Sequence, residues 1–100
     1  MKALTALILS TLMALSTTAT ADQCKGVADL AEATMKARQV GVPMQAVMAG
    51  ATTPIHEIMV VEAYEAPRFT TKEFQKRESQ NFSDKWYMSC YKVAAEMKES

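Results

Sequence analysis

The residues of this chain whose types could do chemistry are few and scattered. His56-Glu57 opens like the zinc-protease pattern His-Glu-x-x-His, but the fifth position is Val60. A zinc site takes three or four protein ligands. With a single His in the chain and both Cys expected in a disulfide, that ligand set is not assembled. His56 therefore reads as a polar residue in the first turn of a helix. Glu62 and Glu65 stand three apart on one helix face. A glycosidase needs its two carboxylates across a substrate cleft, and a small helical chain offers little cleft, so the pair reads as a solvated face. Met44 and Met48 lie one turn apart, and thioethers suit Cu(I). Metal-binding Met comes in denser clusters with His, and Met also fills irregular cores and forms adaptable binding surfaces. No G-x-S-x-G, G-x-G-x-x-G or P-loop pattern occurs. The expectation is a protein that is not an enzyme and holds neither cofactor nor metal.

The other reactive pair is Cys24 and Cys90. Its chemistry depends on the compartment, and the first 21 residues speak to that. Lys2 forms a short positive region, Ala3 to Leu15 a mostly apolar run, and Ala19-Thr20-Ala21 an A-x-A cleavage site. The apolar run of about 13 residues is too short for a normal membrane span. Residues 1–21 are thus expected to be a Sec-type signal peptide and 22–100 a single domain, periplasmic or secreted. Asp22-Gln23 directly before Cys24 replaces the small apolar box of a lipoprotein, so no lipid anchor is expected. In an exported chain two Cys without a C-x-x-C motif point to a structural disulfide. It would close a loop of about 66 residues, worth on the order of 4 kcal/mol in chain entropy. A mature chain this small builds a small core and benefits from such a staple.

Charge narrows the partners. Without Lys2, ten of the 11 Lys and Arg face 11 Asp and Glu. No basic excess points to nucleic acid or to anionic lipid, and no stable membrane insertion of the mature chain is expected. Asn81-Phe82-Ser83 is a glycosylation sequon, but it lies inside an expected helix of a chain whose leader looks bacterial.

The elements that must position these residues are helical. Asp22 or Gln23 opens a helix running to about Gln39, with Cys24, Val27, Ala31, Met35 and Arg38 at steps of three or four. Gly41 and Pro43 end it. A short helix, Met44 to Ala49, follows and stops at Gly50. Thr53 as N-cap and Pro54 at the first position start a third, to Glu65. Its Ile58-Met59-Val60-Val61 segment is β-prone, but a lone strand has no partner here. A long helix then runs from a Thr70 cap, with Glu73 completing a capping box, to Met97, a rod of roughly 42 Å. Its stripe of Phe82, Trp86, Cys90, Val93 and Met97 should be core, and the stretch from Thr70 to Asn81 mostly solvated. A Cys24–Cys90 link favours antiparallel pairing of the first and last helices. That pairing places Gln39 near Gln75 and leaves the two middle helices to cover the pair. The expected fold is all-α, a single-domain bundle of three to four helices stapled by one disulfide.

Between the third and last helices, Tyr64, Arg68 and Phe69 are residue types enriched at interface hot spots. With Lys72 and Lys76, one turn apart, they form the candidate binding surface. The same residues could instead anchor the turn onto the core, with the Lys and Glu residues pairing locally.

The layout resembles small exported two-cysteine helical proteins of proteobacteria and their phages. The likeness lies in the leader, the early Cys, Arg38-Gln39-Val40-Gly41 at a helix end, Ala63-Tyr64 at a turn, and Tyr87-Met88-Ser89-Cys90 in the last helix. It implies a fold but no activity, and no functional residue carries over. In plan the chain is also similar to periplasmic acid-stress chaperones, though its Cys-to-Cys interval is longer than theirs. Two functions are therefore expected as alternatives. One is a binding or regulatory module that contacts a protein partner in the cell envelope, for example by inhibiting an envelope enzyme. The other is a stress chaperone that holds unfolded clients.

Overall fold

A computed structural model describes residues 20–99, with side chains from 23 to 96. Four helices occupy these residues and no strand is present among them: α1 (Thr20–Val40), α2 (Met44–Ala49), α3 (Pro54–Glu65) and α4 (Lys72–Glu99). The expected signal peptide lies outside the described residues apart from Thr20 and Ala21, which form the start of α1.

Local chemistry sets the boundaries. Among the described residues Gly41 is the one at positive φ, +93°. Its N–H bonds Arg38 O at 3.2 Å and the Val42 N–H bonds Ala37 O at 3.0 Å, a Schellman ending for α1. Pro43 then opens α2, and Gly50 closes it. Thr53 Oγ1 accepts the His56 N–H at 3.2 Å, with Pro54 behind it at the first helical position. Ala66 is extended, as a residue before proline prefers, and α3 stops there. The β-prone Ile58–Val61 segment is helical.

The start of α4 differs from expectation. Thr71, not Thr70, is the cap: its Oγ1 accepts the Phe74 N–H at 3.3 Å. The shift by one residue removes Glu73 from the capping-box position, and Glu73 instead faces Arg77 at 3.6 Å.

Helices α1 and α4 run antiparallel. Cys24 and Cys90 are bonded, with Cα atoms 5.4 Å apart. Small residues let the two backbones approach: Ala28, Ala31 and Ser79 are buried at the seam. Ser83 Oγ donates across it to Ala28 O at 2.9 Å. The core is Ala31 and Met35 of α1, Met59 and Ala63 of α3, and Phe82 of α4, with Val27, Tyr64 and Trp86 packed around it. The ring of Trp86 meets Phe82 edge-on at 6.3 Å, and its indole N–H has no acceptor among the described residues.

Two expectations about coverage are corrected. Of the middle helices only α3 covers the pair; α2 buries no residue and leans mainly on α3. The core of α4 is its middle, not its C-terminal half. Ser79 and Phe82 are buried and Trp86 and Cys90 half-buried, whereas Tyr87, Met88, Tyr91 and Val93 are exposed. Tyr87, Met88 and Tyr91 lie off the stripe of Phe82 by helical position, and for Val93, which shares that stripe, the cause is a length mismatch. Cys90 is held opposite Cys24, in the first turns of the 21-residue α1, while the 28-residue α4 continues past it. Among the described residues only the first turn of α1, Thr20 to Gln23, lies beyond Cys24 at that end. The Met97 side chain lies outside the described ones.

This distribution makes a differential prediction. Phe82→Ala should cost about 3–5 kcal/mol, the range for truncating a buried aromatic. Tyr91→Ala, at a residue 56% exposed, should stay within about 0.5 kcal/mol. Urea unfolding of the two variants checks the ordering, and a comparable loss in both would place the core further along α4.

Candidate functional site

The sequence-derived binding residues converge on the connection between α3 and α4, where it crosses the C-terminal end of α1. Helix α1 ends with carbonyls that lack intrahelical partners. Two arginines and two glutamines deal with them and with the connection's own backbone. Arg38 donates from Nε and Nη2 to Ala66 O at 3.2 and 3.1 Å. Arg68 reaches the opposite way, Nε to Gln39 O at 3.0 Å, a cation at the negative end of the helix dipole. Its guanidinium lies against Gly41, where a Cβ would sit 2.7 Å from Nη2. Gly41 is thus needed both for its positive φ and for this close approach.

Gln39 is buried, and its amide is used at both ends. Nε2 donates to Pro67 O at 2.9 Å and lies 3.4 Å from Met35 Sδ. Oε1 accepts the Phe69 N–H at 2.8 Å. Gln75, from α4, donates to Phe69 O at 2.8 Å. Both backbone groups of Phe69 are therefore held by glutamines from two helices, which is how the expected proximity of Gln39 and Gln75 is realised. A buried amide satisfied on both sides specifies one geometry, because any displacement would leave desolvated polar groups unpaired.

Tyr64 is half-buried. Its hydroxyl donates to Val42 O, and the Arg38 guanidinium carbon lies 5.3 Å from its ring centroid. Burial raises the phenol above its ordinary 10.0, partly offset by the Arg38 charge. Phe69 is half-buried with its ring 6.0 Å from that of Phe74. Arg77 stacks over Phe74 at 5.2 Å.

The structure thus divides the candidate residues. Tyr64, Arg68 and Phe69 are joined in the contacts that fix the connection. Lys72 and Lys76 stand exposed on one face of the first turns of α4, with Phe74 on the opposite side of the helix. Sequence reasoning missed the role of Gln39 and Arg38. Their only signal was the Arg-Gln-x-Gly helix end, whose side chains are the ones that grip the turn. Among the described residues no three His, Cys, Asp or Glu side chains gather to hold a metal, and His56 contributes only its backbone N–H to the Thr53 cap. Comparison of the chain with family models, curated proteins and solved structures finds no match.

The Tyr64 hydroxyl gives a pH-dependent test. Tyr64→Phe should lower stability near neutral pH by about 0.5–1.5 kcal/mol, the net worth of one hydrogen bond. A folded-state pKa raised above the unfolded value makes this contribution complete below the ordinary 10.0 and lost as pH rises through the raised value. Urea midpoints of wild type and variant should therefore differ at pH 7 and converge in strong alkali. A gap that is unchanged or wider there contradicts the assignment.

Proposed function

We propose that the protein works by contact with another protein in the cell envelope, as a small regulatory module rather than as an enzyme. On this reading it is exported by its Sec-type leader, cut behind Ala21, and acts in the periplasm or outside the cell, for example by inhibiting an envelope enzyme. A disulfide suits an oxidising compartment, and among the described residues no helix is long and apolar enough to cross a membrane.

One observation carries the reading. Lys72 and Lys76, one turn apart, share one exposed face of α4, on a helix start whose preceding turn is locked, while Phe74, 46% exposed, stands on the opposite side. Of the turn residues Phe69 ties this segment down, through its ring contact with Phe74 and its carbonyl, which accepts from Gln75. A face held in place before binding loses little conformational entropy on docking. The two ammonium groups would speed encounter with an acidic patch and set its orientation.

A second reading rests on a separate observation. Tyr87, Met88, Tyr91 and Val93 form an exposed apolar run on α4 on either side of Cys90, with the Tyr87 and Tyr91 rings 6.1 Å apart. Such a surface suits a stress chaperone that holds unfolded clients. Suppression of client aggregation in acid would favour this reading over the first.

The test of the first reading is Lys72→Glu with Lys76→Glu. Neither lysine is in an ion pair among the described residues, and an acid in the first turn favours the helix dipole. The melting temperature should stay close to wild type, and a partner captured from envelope extract by the wild type should be lost. Capture that survives the double reversal removes this surface as the interface.

A further inference from the structure

Helix α3 is apolar on two faces, though only one is needed for folding. Met59, Val60 and Ala63 are fully buried against the pair. Ile55, Ile58 and Val61 point the other way, 53%, 59% and 44% exposed, in a line at steps of three. A surface helix ordinarily pairs one apolar stripe with one polar face. Here Ile58 and Val61 of the second stripe line an open, shallow groove of about 450 Å³ with Pro54, Glu57, Glu62 and Glu65. A second groove, of about 390 Å³, shares Glu62 and Glu65 and adds Glu78 and Lys85.

The charge around this stripe is of one sign. Four carboxylates, Glu57, Glu62, Glu65 and Glu78, line the two grooves against one ammonium, Lys85. Lys85 is already paired with Glu62. The formal charge of the whole chain is zero, so the excess is local. Helix α3 carries no Lys or Arg, and its last turn carries Glu65. An acid there opposes the helix dipole, so it does nothing for the helix itself while deepening the negative potential outside it.

We propose that the outer face of α3 binds a basic amphipathic helix presented by a partner protein. This rests on the protein-contact reading above but uses a different face. The 12 residues of α3 span about 18 Å, enough to seat roughly three turns of an opposing helix. Apolar side chains of the occupant at i, i+3 or i+4, and i+7 would pack onto Ile55, Ile58 and Val61. Lys and Arg beside them would meet Glu57, Glu65 and Glu78. An extended peptide finds no sheet edge among the described residues, and an anionic lipid surface is repelled by the carboxylates. A second copy fits poorly, because the chain's own basic stretch, Lys72 to Arg77, offers Phe74 as its single large apolar residue, and its exposed apolar run, Tyr87 to Val93, carries Lys92 as its single cation.

The probe is a synthetic 14-residue helix-forming peptide of Leu and Lys, with Leu at helical spacing. Its controls are a scrambled Leu/Lys peptide without that spacing and a Leu/Glu helix. The disulfide-bonded protein should bind the Leu/Lys helix saturably by fluorescence anisotropy and bind neither control at the same concentrations. Kd should weaken at least tenfold in Ile58→Asn with Val61→Asn, and again in Glu57→Gln with Glu65→Gln. Ile58→Leu should retain binding, and melting curves of all variants should show them folded. Raising the salt concentration should weaken binding in the wild type more than in the Gln variant.

Equal binding of the scrambled peptide, or a Kd unchanged in both double variants, overturns the proposal. A free protein that sediments as a dimer broken by Ile58→Asn assigns the face to a second copy and also overturns it. If the Leu/Lys helix fails to bind while a partner is still captured through Lys72 and Lys76, protein contact stands and this inference falls.

Discussion

The antiparallel pairing of α1 with α4 is the constraint on which the rest of the structure depends, and the Cys24–Cys90 bond closes it at one end. The buried apolar side chains are few, and several are small: Ala28, Ala31 and Ala63 beside Met35, Met59, Val60 and Phe82. Small residues bring the backbones together but bury little area each, at roughly 25 cal/mol per Å². A covalent link across about 66 residues limits the unfolded chain by an amount comparable to a large part of a small domain's net stability. It also sets the register, placing Ser83 under the Ala28 carbonyl and carrying α1 along α4 as far as Gln75.

The other end of the pair is closed by polar contacts. Gln39 and Gln75 hold the Phe69 peptide from two helices, and Arg38 and Arg68 cross between the α1 terminus and the turn. With both ends fixed, α3 is carried onto the middle of the pair, and the first turns of α4 leave the turn in a set direction. The surfaces proposed for binding, the start of α4 and the outer face of α3, both belong to segments positioned in this way. Beyond Cys90 only one described turn of α1 opposes the long helix, and Val93, on the stripe of Phe82, is exposed there.

Much of the architecture was legible because it rests on local chemistry. Gly41 and Pro43 marked the end of α1, Thr53-Pro54 the start of α3, and the helical spacing around Phe82 and Cys90 the seam. The readings that failed depend on facts a one-dimensional pattern does not carry. Val93 shares the helical stripe of Phe82, but periodicity does not report where the opposing helix stops. Thr70 and Thr71 are equally good caps by type, and tertiary placement of the turn selects the second. The buried Gln39 amide gives no periodic signal at all, because a polar residue near a helix end normally reads as solvated. Tyr64 and Arg68 have interface-prone chemistry, and the same chemistry suits them to fixing a turn. The Ile55–Ile58–Val61 stripe was hidden in a segment apolar all round, where composition does not say which face is covered.

The most direct test of the account is equilibrium unfolding in urea, followed by far-UV circular dichroism, with the Cys24–Cys90 bond intact and after reduction. If that bond holds the antiparallel pair, reduction should remove about 4 kcal/mol. The midpoint should shift far enough that much of the helical signal is lost at low urea. A reduced protein that unfolds at the oxidised midpoint, with the same cooperativity, would contradict the account and leave packing and the Gln39 contacts as what holds the two helices together.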